Sequence, residues 1–182
     1  DTNAPFYARA KLYFSEQNQT LAQMEEQYMS RWAEKIPGVA HSQRGFTTFL
    51  NFQRKHIFDG LLRSLTNGPI MRRLGMAGEP TQEELRVLGH YVNVITGRGD
   101  MGAKANAAVA LNRAFFSPRL VMSRFQYALG EPLWRGPWRG TGRARLLIAG
   151  EYARFFAGLA MVYGLARLAG ADIGLDPRSS DF

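Results

Sequence analysis

Apolar positions recur along this chain at intervals of three and four residues, the spacing at which side chains share one face of an α-helix. Phe6, Ala10, Tyr13 and Phe14 open the pattern, and Leu21, Met24, Tyr28, Trp32 and Ile36 continue it. "IPGVAHS" interrupts it, because proline and glycine punctuate helices. Phe46, Phe49, Leu50, Ile57, Phe58, Leu61 and Leu65 restart it on a second long helix. Thr81 followed by Glu84 is a capping box, in which each residue satisfies a backbone N–H of the other. Leu85, Leu88, Val92 and Ile95 then stripe a third helix that ends at the glycines of "TGRGDMG". A fourth helix is expected from about Ala103 to Phe116, and Ser117-Pro118 reads as an N-cap and first helical residue that start a fifth. After the connector "GEPLWRGPWRGTGR", Ala144 to Ala169 forms one long, unusually apolar helix.

No stretch sustains the period-two alternation of a half-buried strand. The pattern therefore predicts an all-α fold, an irregular bundle of about six helices with a long apolar helix at the C-terminal end. With 182 residues the chain is long enough for one sizeable core, so 1–182 is expected to be a single helical domain or a fragment of a much longer chain. Residues 1–40 are either continuous with it or a separate N-terminal helical arm. The start at Asp1-Thr2-Asn3 and the tail "DPRSSDF" fit a piece of a longer polypeptide, and no signal or transit pattern is visible.

Charge adds a partner class. The formal net charge is +8, and of 23 basic residues only Lys11, Lys35, Lys55 and Lys104 are lysine. Arginine is a planar fork suited to phosphate and carboxylate. Between Met101 and Arg154 only Glu131 and Glu151 oppose Lys104, Arg113, Arg119, Arg124, Arg135, Arg139, Arg143, Arg145 and Arg154. Such a cluster suits a polyanion or an anionic membrane surface. The chain has no cysteine, which removes disulfides and thiolate metal sites.

Candidate chemistry is sparse. Gly97, Gly99 and Gly102 fit G-x-G-x-x-G, but a dinucleotide site needs a strand before the glycines and an acid about twenty residues on. Here a capped helix precedes them and the first acid after Gly102 is Glu131. The expected role of the segment is a helix junction, with Gly97 ending one helix and Asp100 capping the next. Arg98-Gly99-Asp100 spells an adhesion tripeptide, which carries little information by itself. His41, His56 and His90 are dispersed; His56 and Asp59 share a helix face without a third ligand nearby. Glu25-Glu26 and Glu83-Glu84 are adjacent and diverge around their helices, so neither makes an acid pair. With no G-x-S-x-G and no P-loop, no catalytic residue, cofactor site or metal site is assigned.

Two features stand out. Trp134, Arg135, Trp138, Arg139, Arg143 and Arg145 interleave aromatic and basic side chains, a mixture able to stack on bases, grip phosphates or sit at a membrane interface. The alternative is a connector whose tryptophans plug the core; in either case the arginines are expected to face outward. The second feature is "LLIAGEYARFFAGLAMVYGLARLAG", uncharged from Phe155 to Ala166, with Gly150, Ala153, Ala157, Ala160 and Gly164 as small residues. Glu151, Arg154 and Arg167 interrupt the roughly twenty residues a spanning helix needs. A central buried helix of a soluble bundle is the favoured expectation, a membrane-associated helix the alternative.

"RGFTTFLNFQR" (Arg44 to Arg54), "YVNVITGRGDMG" (Tyr91 to Gly102), "ALNRAFFSPRLVMSRFQ" (Ala110 to Gln126) and "DPRSSDF" (Asp176 to Phe182) together resemble a helical domain of large polyvalent proteins of bacteriophages and mobile elements. The resemblance runs from Arg44 to the last residue. It implies a non-enzymatic module of a phage protein, held in the virion interior and delivered to the host cell with the genome, with a structural or DNA-ejection role. Its implied partners are other virion proteins or the rest of the parent chain, with DNA or a membrane surface as further candidates. The basic span supports an alternative, a nucleic-acid-binding module acting after DNA entry.

Overall fold

The computed structural model describes residues 3–14, 39–100, 102 and 118–171, with the side chains of 39–44, 46 and 118 excepted. The expected stripe from Leu21 to Ile36, the expected helix Ala103–Phe116, the Ser117 cap, the side chain of His41 and the tail from Asp176 lie outside what is described. Among the described residues the chain is helical without strands, as the periodicity requires. The helices are α1 (Ala4–Arg9), α2 (Val39–Asn67), α3 (Pro69–Arg73), α4 (Gln82–Ile95), α5 (Pro118–Ala128), α6 (Glu131–Trp134) and α7 (Gly142–Leu168).

α4 is the axis of the bundle, in contact with α1, α2, α5, α6 and α7. Its capping box forms as read from the sequence: the Glu84 backbone N–H donates to Thr81 Oγ1 at 3.2 Å, and the Thr81 N–H donates to Glu84 Oε2 at 2.9 Å. Leu85, Leu88 and Val92 are fully buried. They meet Phe58, Leu61, Leu62 and Leu65 of α2, Ala144, Ile148 and Tyr152 of α7, and Tyr7, Ala10 and Leu12 of the N-terminal segment in one core.

Residues 3–14 thus pack into the same core. α1 is only six residues long, and Lys11 turns the chain at φ 53°. The following residues run across α4: Asn93 donates to the Lys11 carbonyl and accepts from the Tyr13 N–H. Gly89 makes the crossing possible, since a Cβ there would stand 2.1 Å from the Ala10 carbonyl oxygen. At the other end of α1, Tyr7 and Asn3 both donate to the Asp59 carboxylate.

α7 corrects an expectation. Only Ala144, Arg145, Ile148 and Tyr152 are buried in it, and from Ala153 to the end of the helix almost every side chain is exposed. The reason is length. α7 has 27 residues against 14 in α4, about 40 Å against 21 Å at 1.5 Å per residue. Its second half runs past the central helix, and beyond the contact of Phe155 with Tyr127 of α5 most of its side chains are exposed.

Candidate functional site

Two parts of the molecule are set apart by their chemistry, the connector that leads into α7 and the free half of α7 itself. The connector starts at Gly130, whose positive φ of 65° ends α5 and opens the single turn of α6. It is closed by Arg145. From the first turn of α7 this side chain reaches back and donates to the carbonyls of Leu133, Arg135 and Pro137 and to Thr141 Oγ1. Its guanidinium also lies 4.4 Å from the centre of the Trp138 ring, a cation–π contact. Burial pulls the Arg145 pKa down, so the carbonyls compensate a charge that has partly left water.

Arg143 is equally committed. It grips Glu84 through two parallel hydrogen bonds of 2.8 and 2.6 Å and also donates to the carbonyls of Met76 and Glu79. The Glu84 hydrogen bonds raise its pKa against the opposing effect of burial. Glu84 thus caps α4 and anchors the start of α7 with one carboxylate. Arg135 bridges Glu131 at 2.6 Å and Asp100 at 2.9 Å.

The expectation that the connector arginines face outward is therefore corrected for Arg135, Arg143 and Arg145. A guanidinium has five donors in a fixed fork, and a glycine-rich connector presents many carbonyls with few internal partners. Arg139 does remain exposed. The core-plug alternative for the tryptophans also fails: Trp134 is 54% and Trp138 66% exposed, the former donating from Nε1 to the Leu129 carbonyl.

The glycine segment ends α4 as expected, while the helix that Asp100 is expected to cap lies outside the described residues. Arg98 N–H donates to the Asn93 carbonyl and Gly97 N–H to that of Val94, the paired bonds of a Schellman turn, with Gly97 at φ 90°. Gly99 then presses on α5, where a Cβ would lie 2.5 Å from the Ser123 nitrogen. Asp100 accepts from the Gly102 N–H and from Arg135, and its backbone exchanges two hydrogen bonds with Gln126. Tyr91 to Ile95 lie in α4, so no strand precedes the glycines. The tripeptide at 98–100 is held by α5 and the connector.

Sequence reasoning missed the polar cluster that completes this junction. His90 Nε2 meets the buried Glu131 carboxylate at 2.5 Å, and Glu131 also receives Arg135. His90 and Glu131 are 41 residues apart with no shared motif, so only the fold brings them together. His56 stacks on Phe52, and Asp59 is taken up by Tyr7 and Asn3. Among the described residues no cluster of His, Asp or Glu could hold a metal ion.

The free half of α7 begins at an aromatic root. Tyr152 stacks on Tyr127 at 4.7 Å and donates to its carbonyl, and Phe155 meets Tyr127 edge-on at 5.6 Å. Beside this root a cleft of about 220 Å³ is lined by Tyr91, Val94, Ile95, Arg124, Tyr127 and Phe155. Burial pushes the Tyr91 and Tyr152 phenols well up from their ordinary range. Beyond the root, Phe156, Leu159, Met161, Val162, Leu165 and Leu168 are each more than half exposed. By length and composition α7 is apolar enough to cross a membrane, and only 11% of its most apolar stretch is buried.

No protein-family model, no curated protein and no solved structure matches the chain.

Proposed function

We propose that the chain is a non-enzymatic helical module of a large phage polyvalent protein, carried inside the virion and delivered to the host cell with the genome, where it has a structural role in ejection. The observation that supports this reading is the division of α7 into a latched base and a free apolar half. Arg143 and Arg145 fix the base to α4 and to the connector, while the remaining four turns project. A rigid root with an apolar extension is a device for holding a partner. The ordered segments that resemble the polyvalent-protein domain supply the setting, and other virion proteins or the rest of the parent chain are the partners it implies. Mass spectrometry of purified particles and of infected-cell cytosol tests the location. Peptides of this chain are expected in the particles, and their confinement to cytosol would remove the virion role.

The basic span from Met101 to Arg154 supports the second reading, a nucleic-acid-binding module acting after entry. With Arg135, Arg143 and Arg145 engaged internally, Arg124 and Arg139 are the exposed arginines left to grip phosphate between Arg119 and Arg145. On that reading, affinity for duplex DNA falls with salt by a log–log slope of about −0.9 for each phosphate contact. Replacing Arg124 and Arg139 with Gln should then flatten the slope. An affinity that ignores salt, or a slope unmoved by the double replacement, would discard it.

A further inference from the structure

We propose that the cleft between α4, α5 and α7, beside the root of α7, binds a small aromatic carboxylate of one or two rings. Such a site goes beyond the structural role and does not depend on it.

Two phenols carry the assignment. Tyr91 of α4 is only 4% exposed and lines the cleft, and among the described residues its hydroxyl makes no hydrogen bond, nor does that of Tyr127 of α5. A buried hydroxyl without a partner is costly, and in folded proteins it marks a bound water, ion or ligand. Tyr152, in the same aromatic group, is satisfied within the chain, donating to the Tyr127 carbonyl at 2.9 Å. Burial above all, with the Glu151 charge adding to it, raises the Tyr91 and Tyr127 pKa values, so both phenols keep a proton to donate.

Charge sets the direction of the ligand. Arg124 lines the cleft from α5, one turn before Tyr127; it is exposed and forms no ion pair or hydrogen bond among the described residues. The acid whose charge reaches both phenols, Glu151, is paired with Arg154 and disfavours a second negative group at the buried end. The anionic group therefore meets Arg124 at the rim, and a neutral acceptor meets Tyr91 inside. One guanidinium fork matches one carboxylate.

The walls select a flat ring. Tyr127 and Phe155 stand at 84° with centroids 5.6 Å apart, so a ring lying on one turns its edge to the other. Those are the two arrangements that aromatic pairs favour. Val94 and Ile95 complete the cleft with aliphatic surface. A cavity of about 150 Å³ accommodates benzene, so about 220 Å³ has room for a substituted ring or a second one.

Calorimetric titration of the full chain with 4-methoxybenzoate tests this, since that probe carries a carboxylate at one end of a ring and an acceptor oxygen at the other. A dissociation constant on the order of 0.1 to 1 mM is expected for a ligand of about a dozen non-hydrogen atoms. The uncharged 4-methoxybenzamide should bind about tenfold more weakly, and cyclohexanecarboxylate, which lacks the aromatic ring, about fivefold. Arg124→Gln should weaken 4-methoxybenzoate by about tenfold, and Tyr91→Phe by about three- to tenfold. Arg124 is exposed, so its replacement should leave the melting temperature unchanged and keeps the test valid even if Tyr91→Phe disturbs the core. No binding at about 10 mM probe would overturn the site, and equal affinity for the amide would overturn the anionic ligand. Affinity unchanged in both variants would place binding elsewhere and overturn the proposal. A Tyr91→Phe protein that melts higher and binds equally well would show that the hydroxyl holds water only and overturn the orientation. Tighter binding of adenosine 5′-monophosphate than of the carboxylate would assign the cleft to a nucleotide and overturn the carboxylate.

Discussion

Arg145 and Arg139 are indistinguishable in the sequence, two arginines six residues apart in a basic connector, yet they have opposite fates. Arg145 is buried against three carbonyls, Thr141 and the Trp138 ring, whereas Arg139 is exposed. No pattern of residue types foretells this, because the carbonyls that capture Arg145 converge only once α6 and the turn after it have formed. Arg145→Lys should therefore cost about 2 kcal/mol, since an ammonium cannot reproduce the fork and leaves buried carbonyls without donors. Arg139→Gln should stay within about 0.5 kcal/mol. Urea unfolding of the two variants compares them directly, and equal losses would contradict the latch. Tyr7 gives a pH test at the same scale. Burial, then its hydrogen bond to Asp59 and the Asp59 charge, push the phenol from 10.0 up to about 12. The folded state favours the protonated phenol, so its contribution is complete below the unfolded pKa and is lost as pH rises from about 10 to about 12. Melting temperature should fall across that window, and Tyr7→Phe should remove part of the slope; an unchanged slope would show that Asp59 does not hold the phenol.

Single helices were legible to different degrees, and α4 was the clearest. Its capping box fixed the start, its stripe of Leu85, Leu88 and Val92 fixed the buried face, and Gly97 fixed the end. Each of those signals is local in the chain. Gly89 carried a non-local one: it reads as a weakness in a helix, costing about 1 kcal/mol relative to alanine, and its reason is the Ala10 carbonyl that passes 2.1 Å from where a Cβ would be. Gly60 in α2 is the control, with nothing within 4 Å of its own added Cβ. Gly89→Ala should thus destabilise by about 1 to 3 kcal/mol because backbone must move. Gly60→Ala should stabilise by about 0.4 to 1 kcal/mol through the unfolded chain. Thermal melts of the pair should shift in opposite directions, and a stabilising Gly89→Ala would mean that residues 3–14 do not pack on α4.

The whole molecule is governed by a mismatch between two helices that the sequence described equally well. Apolar content announced α7 as plainly as the stripe announced α4, but a helix apolar on nearly all sides has no face to read, so its pattern could not say how much of its length the bundle covers. What decides is where the bundle stops, and that follows from the 14-residue length of α4 and from the latch at the base of α7. The expectation of a buried central helix holds for Ala144 to Tyr152 and fails beyond it. Stability should divide at the same point. Ile148, fully buried between α4 and α7, should cost about 2 to 5 kcal/mol as Ile148→Ala, the range for large-to-small changes in a packed core. Leu159→Ala, three turns on and 56% exposed, should change stability by no more than about 0.5 kcal/mol in the absence of lipid. Denaturant unfolding of both variants measures the division. A large loss from Leu159→Ala would mean that protein already covers the second half of α7, in which case the helix is a core element along its whole length and the length of α4 does not set where stability divides.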